Sequence, residues 1–298
     1  MNALSHELAA LSASEMVAAL GVRQAPELVR RGLELPFYLA SRTLGRTLAE
    51  LDETVAARGL SAAATQALQR FGIALQAKRA RLGAGPRLVL ANHPGAYDAL
   101  ALISALGRED LRILAADRIF LRALPRLSQH LLFVGERAGE RAGALKRALS
   151  HLRAGGTVLH FPAGQIEPDA DFEPDHAQLL KPWLPGVTAL VKACAKADGR
   201  VVLAGVRGVH SPRAKRLLLN RWAESRGITT LSPLLQMVGK LRDVITTVRT
   251  LDAGSAQALT RLSPAEQAAR LRVVLQQALT ESPLSQEQSI WTRNTPQS

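Results

Sequence analysis

The sequence predicts an α/β fold, with a largely parallel central sheet flanked by helices and an N-terminal helical region. After residue 82, short apolar runs of strand length alternate with segments of helical periodicity, a pattern typical of parallel sheets covered by helices. Before residue 83, the apolar residues recur at helical spacing instead. Of the 298 residues, 47% are hydrophobic, which is enough for a core of this size. We therefore divide the chain into a helical region at 1–82, an α/β domain at 83–281 and a polar tail at 282–298.

The N-terminal region is expected to be helical throughout. Four helices are predicted there. The first covers 14–21, the second begins near Pro26, and the third covers 36–58 and ends before Gly59. The fourth follows Gly59 and has Ser61 as its N-terminal cap. The apolar faces of the last two are expected to consist of Phe37, Leu44, Leu48, Leu51 and Val55 in the third helix, and of Leu68, Phe71 and Leu75 in the fourth.

The α/β domain is expected to begin with a strand and to end with a helix. The predicted strands are 87–91, 111–115, 131–134, 157–161, 201–206 and 244–248. The predicted helices are 97–106, 121–127, 139–152, 185–196 and 263–279. The last of these opens with Ser263-Pro264-Ala265-Glu266, a capping box with proline at the first helical position.

The charge of the chain predicts an anionic partner. The formal net charge is +13, which concentrates a protein near nucleic acid, anionic lipid or acidic small molecules without choosing among them. Aromatic residues make up only 4% of the chain, which disfavours stacking platforms for single-stranded nucleic acid. After the fifth strand, basic residues alternate with leucines and Trp222, as in a helix that lies at a lipid interface.

Several classes of protein are disfavoured by simple counts. The single cysteine, Cys194, excludes an internal disulfide framework, and its place within a helix predicts a buried structural thiol. The histidines lack the helical spacing of a metal site, so we expect no metal. We also expect no secretory signal, and no stretch reaches the apolar length of a membrane span.

A histidine and a carboxylate follow the first strand of the predicted domain. Open α/β sheets bind ligands at the carboxyl ends of their strands, where His93 and Asp98 are expected. A neutral histidine can accept a proton near neutral pH, and a carboxylate on its far nitrogen would fix the tautomer. The alternative is that neither residue has a chemical role: His93 caps a turn, and Asp98 only lies in the first turn of a helix.

A turn with proline and glycine follows the strand at 157–161. Pro162 lacks a backbone donor, and Gly164 permits a positive φ and close approach to a ligand. Free N–H groups on such a turn could hold an oxyanion. The alternative is an ordinary connecting loop.

These motifs resemble, in their order and spacing, those of the PlsC-like glycerophospholipid acyltransferase family. Residues 92–98 look like its N-H-x-x-x-x-D block, and 133–137 look like a second block that ends in arginine. Residues 161–164 look like its F-P-E-G block, and the strand at 201–206 stands where a fourth block would be. The resemblance covers roughly 83–255.

The resemblance implies acyl transfer from a thioester to an acceptor hydroxyl, without a covalent acyl-enzyme. His93 would be the general base and Asp98 its orienting partner. Arg137 would pair with a phosphate of donor or acceptor, unless it forms a surface ion pair with Glu136 or Glu140. The residues expected to contact substrate are Asn92, Arg137, Phe161, Pro162, Ala163, Gly164 and Glu167.

The sequence departs from the family pattern F-P-E-G-x-R at two positions. Ala163 replaces the glutamate and Ile166 replaces the arginine, which in the family help to hold the acceptor, often through a glycerol phosphate. Some members with F-P-A-G act on other lyso-lipid acceptors, and this sequence resembles them more closely. Glu167 is either a substitute for the missing carboxylate or a solvated loop residue.

The predicted function is therefore that of a peripheral-membrane O-acyltransferase acting on a lyso-lipid. The donor would be acyl-CoA or acyl carrier protein, with no cofactor besides. The expected partners are membrane lipids and the acyl donor, with no nucleic acid, and the expected location is the cytoplasmic face of the membrane. Two alternatives are a basic binding protein without catalysis and a hydrolase that releases a fatty acid to water. A hydrolase of the usual serine type is disfavoured because the chain has no G-x-S-x-G motif.

Overall fold

The computed structural model describes residues 3–19, 27–77, 82–95, 97–216 and 243–280, and a seven-stranded sheet lies at its centre. The strands are β1 (Ala74–Ala77), β2 (Arg87–Ala91), β3 (Leu111–Ala116), β4 (Leu131–Val134), β5 (Thr157–His160), β6 (Arg200–Arg207) and β7 (Ile245–Ser255).

The described helices surround this sheet. They are α1 (Ala3–Ala19), α2 (Glu27–Arg58), α3 (Leu60–Phe71), α4 (Asp98–Leu106), α5 (Ile119–Arg122), α6 (Ala138–Arg153), α7 (Gly186–Lys196), α8 (Pro212–Arg216), α9 (Ala256–Leu259) and α10 (Pro264–Thr280). Two 3₁₀ helices cover Leu127–His130 and His176–Gln178. None of the described helices is both long enough and apolar enough to cross a bilayer.

The strands lie in the order β1-β7-β6-β2-β5-β3-β4, and every neighbouring pair is parallel except β6 with β7. The predicted α/β fold with a largely parallel sheet is therefore confirmed. β2 lies between β5 and β6, so its carboxyl end is flanked by the ends of two parallel strands. Such an edge is where a doubly wound sheet binds its ligands.

Each face of the sheet is covered by apolar side chains of helices. Val89 and Ala91 of β2 face the core that includes α2, α3 and α4. Leu88 and Leu90 face the opposite core, which includes α6, α7 and α10. All four side chains are fully buried, which explains why β2 is a continuous apolar run in the sequence.

The N-terminal helices differ from the expected ones. α1 begins at Ala3 and runs through Ser14, and α2 is one helix that passes through Pro36, where two were expected. The two helices pack closely, because a Cβ on Gly45 of α2 would collide with the backbone of Ser5 and Ala9 in α1. Packing of this kind outweighs the local preference of a proline.

The start of α3 and the strand after it were also predicted wrongly. Ser61 does not cap α3. Instead the carboxylate of Glu109 accepts the N–H groups of Leu60 and Ser61, at 2.5 and 3.1 Å. Leu75, expected on a helix face, lies in β1, which pairs with β7 some 170 residues later in the chain. The segment expected to be helical throughout therefore supplies one strand of the sheet.

Most of the remaining predicted elements agree with the observed ones within a few residues, and the capping box of the last helix is present. The last strand, predicted at 244–248, is longer than expected, because β7 continues to Ser255 along its pairing with β6. Ser263 Oγ accepts the Glu266 N–H at 3.3 Å, and the Glu266 carboxylate accepts the Ser263 N–H at 2.9 Å. The predicted helix at 121–127 is instead α5 followed by a 3₁₀ helix. The predicted tail from residue 282, and Trp222 with its basic neighbours, lie outside the described residues. The domain boundaries stay predictions.

Candidate active site

The His93 imidazole and the Asp98 carboxylate meet at the carboxyl end of β2. Asp98 is the first residue of α4, and its Oδ2 lies 2.7 Å from His93 Nδ1. The same oxygen accepts the N–H of Gly95 at 2.8 Å. Gly95 has a φ of +89°, so the turn that bends the chain back from His93 to Asp98 requires glycine at this point. The sequence-predicted pair is thus in contact.

Because His93 Nδ1 contacts Asp98, its Nε2 is the nitrogen that could accept a proton from a substrate. A carboxylate on Nδ1 favours the tautomer with the proton on that nitrogen, so that Nε2 carries the basic lone pair. Asp98 is buried, whereas the His93 side chain is 31% exposed. Burial alone would lower the pKa of His93, but the charge and hydrogen bond of Asp98 and the charge of Glu167 outweigh it and raise that pKa.

Glu167 holds the backbone of His93 in place. Its Oε2 accepts the His93 N–H at 2.9 Å, and its own N–H donates to the His93 carbonyl at 2.8 Å. The other carboxylate oxygen, Oε1, accepts the N–H of Lys181 at 2.8 Å. Burial raises the pKa of Glu167, although these backbone donors oppose the shift. Glu167 is buried, so it is not a solvated loop residue, and its contact with a substrate stays a prediction.

The turn after β5 packs against the imidazole. The ring centroids of Phe161 and His93 are 4.5 Å apart and tilted by 33°. Pro162 and Ala163 are buried, and the Pro162 carbonyl accepts the Leu184 N–H at 2.8 Å. Gly164 has a φ of +64°, as expected, but its N–H donates to the Phe161 carbonyl at 3.0 Å. The turn itself therefore uses the Gly164 N–H, and an oxyanion site on the neighbouring N–H groups of this turn stays a prediction.

Asn92 joins two strands of the sheet. Its side-chain Nδ2 donates to the Val206 carbonyl at 2.8 Å, and its Oδ1 accepts the Val206 N–H at 2.7 Å. The last paired residues of β2 and β6 are Ala91 and Ala204, so the amide extends the ladder where β2 stops. Asn92 is fully buried, and these bonds support a positioning role.

Arg137 lies away from His93. It follows β4, an edge strand three positions from β2, and strands are spaced about 4.8 Å apart. Its side chain is 88% exposed, and its Nη1 lies 4.0 Å from Glu140 Oε1. The ion pair that was one of the two interpretations of Arg137 is therefore present, and contact with a substrate phosphate stays a prediction.

Asp169 was missed by the sequence reasoning. It is buried, and its carboxylate accepts the N–H groups of Gly208, Val209 and His210 at 2.8–3.2 Å. It thereby fixes the chain after β6 beside the loop after β5. Nothing in the local sequence marks Asp169 for this role, because its partners lie about 40 residues later.

The other residues that could act as a nucleophile, a base or a metal ligand do not form a second site among the described residues. Burial raises the pKa of Cys194 to about 11, so the thiol is protonated near neutral pH. Burial lowers the pKa of His160, at the end of β5, to about 4, which keeps that imidazole neutral. In the part of the chain that the structure describes, no three His, Cys, Asp or Glu side chains form a group that could hold a metal ion.

Comparison with known proteins gives one match to a family model. Residues 71–205, just under half of the chain, match the model of the family described as Acyltransferase. This match agrees with the resemblance to an acyltransferase family, and the roles of the individual motif residues stay predictions.

One solved structure similar to the chain is the 1-acyl-sn-glycerophosphate (LPA) acyltransferase PlsC from Thermotoga maritima. It is 14% identical, and the match covers 81% of this chain and 87% of that one, with a TM-score of 0.45. No curated protein matches the sequence.

Proposed function

We propose that the protein transfers a fatty acyl group from a thioester, either acyl-CoA or acyl carrier protein, to the hydroxyl of a lyso-lipid. The observation that carries the proposal is the 2.7 Å contact between His93 and Asp98 at the carboxyl end of β2, within the region that matches the acyltransferase family model. Neither a metal nor a covalent acyl-enzyme takes part in the proposed reaction.

The reaction uses His93 twice. Its Nε2 takes the proton of the acceptor hydroxyl while the hydroxyl oxygen attacks the thioester carbonyl carbon. The tetrahedral intermediate then collapses, the carbon–sulfur bond breaks, and the imidazolium returns its proton to the leaving thiolate. The products are an ester and a free thiol. Asp98 stabilises the imidazolium formed between the two steps.

The surroundings of the imidazole suit this role. The pKa of His93 is raised chiefly by Asp98 against the effect of burial, so the imidazole is a stronger base than an isolated histidine. The Phe161 ring covers one side of it and restricts its rotation. A positioned general base of this kind contributes on the order of 10²–10⁴-fold to a rate.

Attachment to the cytoplasmic face of a membrane is part of the proposal. The exposed edge around His93 carries large apolar side chains that face solvent: Ile119 after β3, Leu184 and Phe172 after β5, and Ile245 at the start of β7. Lys215, with its Nζ 5.8 Å from the Phe172 ring centre, adds positive charge there. Apolar and basic residues around the mouth of a site favour docking on anionic lipid, from which a lyso-lipid could enter.

The proposal is tested by acyl transfer from labelled acyl-CoA and acyl carrier protein to a panel of lyso-lipids. We expect His93→Ala and Asp98→Asn to lower the rate by on the order of 10²–10⁴-fold. His176→Ala, a change of an exposed histidine in a 3₁₀ helix, is the matched control and should leave the rate unchanged.

Two results would contradict the proposal. Release of free fatty acid by the wild type, with no acylated acceptor, would indicate the hydrolase. Absence of any turnover, together with equal vesicle binding by wild type and His93→Ala, would indicate a binding protein.

A further inference from the structure

We propose that Lys181 binds an acidic group of the substrate, a phosphate or carboxylate that lies close to the reacting atoms. The inference rests on the proposed function and adds a binding residue to it.

Lys181 is placed beside His93 by a shared contact. The two oxygens of the Glu167 carboxylate accept the N–H groups of His93 and Lys181, at 2.9 and 2.8 Å. The two residues therefore lie on either side of a single carboxylate, although 88 positions separate them in the sequence. The side chain of Lys181 starts at the rim of the site.

The ammonium of Lys181 is available to a ligand. It lies 3.5 Å from Gln165 Oε1, a weak contact with a neutral amide. Within the described ranges, no carboxylate lies within ion-pairing distance of it, and the Glu167 oxygens are occupied by backbone N–H groups. Gln165 belongs to the same turn as Phe161, whose ring packs on the imidazole. The ammonium therefore projects over the turn that borders the site.

Three arginines at this edge differ from Lys181 because each has a carboxylate partner. Arg122 contacts Asp117, Arg207 contacts Asp171, and Arg137 contacts Glu140. A cation that already has a carboxylate partner binds a second anion less strongly, because the partner offsets its charge. Among the described residues no carboxylate lies within ion-pairing distance of Lys181, although its charge acts on the buried Glu167, and this distinguishes it from these three.

The position where the family resemblance expects an arginine carries no cation. Ile166 occupies it, and its side-chain carbons lie 3.5–3.8 Å from a Cβ built on Gly95. This wall of the site is therefore apolar, together with Phe161 and the buried Ala163. A substrate with an acidic group next to the reacting hydroxyl would need a cation from elsewhere. Lys181 supplies one from the far end of the same loop.

The chemistry of lysine fits single-point recognition. An ammonium on a flexible stem pairs with one anionic oxygen and does not impose the bidentate geometry of arginine. The anion has two sources: the acidic headgroup of the acceptor lipid, or the phosphates of the acyl donor. Both present the same phosphate oxygens, and their contributions are separable by experiment.

The test measures binding and turnover separately with the full-length protein. Binding of lysophosphatidic acid, of neutral monoacylglycerol and of acyl-CoA is measured by calorimetry for wild type, Lys181→Met and Lys181→Arg. Lys192→Met, an exposed lysine of α7, is the matched control. We expect Lys181→Met to weaken one phosphate-bearing ligand about tenfold, the loss of one charge-assisted contact. Monoacylglycerol binding should not change, and Lys181→Arg and Lys192→Met should behave like wild type.

The outcomes distinguish the sources and the two proposals. A loss confined to lysophosphatidic acid assigns Lys181 to the acceptor, and a loss confined to acyl-CoA assigns it to the donor. Equal affinities in wild type and Lys181→Met, equal losses for charged and neutral ligands, or no binding by wild type would each overturn the inference. If the selective loss occurs in a protein without acyl transfer, the proposed function fails and Lys181 remains an anion-binding residue. If transfer occurs and Lys181→Met leaves the KM of both substrates unchanged, only the role of Lys181 fails.

Discussion

His93 is held at its side chain and at its backbone by different parts of the chain. Asp98 fixes the ring from the start of α4, Phe161 packs on it from the end of β5, and Glu167 binds its N–H and carbonyl. A base whose position and tautomer are set before substrate arrives loses little entropy in reaching a reactive geometry. The chemistry of the site therefore depends on residues that need not touch the substrate.

Glu167→Gln should change both the rate and its pH dependence. Catalysis needs neutral His93, so the rate rises as pH increases through the pKa of that histidine. The negative charge of Glu167 raises the pKa of His93, and its removal should move this rise to lower pH. The amide can no longer accept both N–H groups, so the maximal rate should fall about tenfold, as for a lost hydrogen bond to a charged group.

The measurement is a pH–rate profile of Glu167→Gln beside wild type. Glu173→Gln, a change in the same loop whose side chain accepts the Asp175 N–H at 3.0 Å, is the control and should keep the wild-type profile. An unchanged profile in Glu167→Gln would show that the carboxylate does not act on the imidazole.

The contact between His93 and Asp98 could be predicted from the sequence because it is local. Five residues separate His93 from Asp98, and a strand-to-helix turn at a sheet edge is recognisable from apolar runs and glycine. The contacts of Glu167 and Asp169 could not be predicted, because a carboxylate that accepts backbone N–H groups 14 to 74 positions away leaves no local pattern. Arg137 matched a motif block, but its distance from His93 follows from strand order, which the sequence did not define.

At the scale of elements, the end of β2 determines where the site lies. β2 stops at Ala91, and the side-chain amide of Asn92 takes over the pairing with Val206 of β6. The backbone is then free to turn through Gly95 into α4 while β6 continues. The strand thus ends without leaving buried backbone groups unpaired, which is a general requirement of protein interiors.

Asn92→Ala should destabilise the protein. Removal of the amide leaves the buried N–H and carbonyl of Val206 without these partners, and each unsatisfied group costs about 1–3 kcal/mol. We expect the free energy of unfolding to fall by about 2–4 kcal/mol. Denaturant unfolding measures it, with Gln129→Ala, a solvent-exposed amide, as the control. A fall below 0.5 kcal/mol, the usual range of a surface change, would show that the two bonds do not stabilise this edge.

Helices and strands whose apolar residues have a regular spacing, or whose ends carry a capping motif, were predicted well. Those that depend on contacts with distant parts of the chain were not. The alternation of strands and helices after residue 82 and the capping box at Ser263 lie in the local sequence. The strand β1 forms by pairing with β7, and the N–H groups at the start of α3 are bound by the carboxylate of Glu109. Both β7 and Glu109 lie far along the chain from the segments that they contact. Local propensity therefore favoured a helix in place of β1, and a serine cap in place of Glu109 at the start of α3.

At the scale of the whole molecule, the large apolar side chains that face solvent among the described residues are unevenly placed. Four lie beside strands at the edge where His93 opens, namely Ile119, Leu184, Phe172 and Ile245, whereas Leu39 lies along α2 and Val273 along α10. The net charge of +13 adds an attraction to anionic surfaces that does not depend on contact. Both features support the proposal that the molecule approaches a lipid surface with its site facing that surface.

Ile119→Ser with Leu184→Ser should weaken binding to vesicles of phosphatidylglycerol and phosphatidylcholine in equal parts. Each side chain that leaves water on docking contributes about 1.5 kcal/mol, so the partition coefficient should fall by about tenfold per substitution. Val273→Ser, also an exposed apolar side chain, is the control and should bind like wild type. Vesicle sedimentation measures the binding. Equal losses in all variants, or none in the double variant, would contradict docking through this edge.

The reversed direction of β7 has a consequence for how such a protein can diversify. Because β7 runs antiparallel to β6, Arg216 and Asp243 both lie at the edge where His93 opens. The chain therefore leaves β6 and enters β7 at the same edge of the sheet. Substitutions at the exposed residues Arg213 and Arg216 can alter this edge without shifting the register of any strand, because both residues lie outside the strands. Evolution and protein engineering can use such positions to adjust substrate preference at little risk to folding.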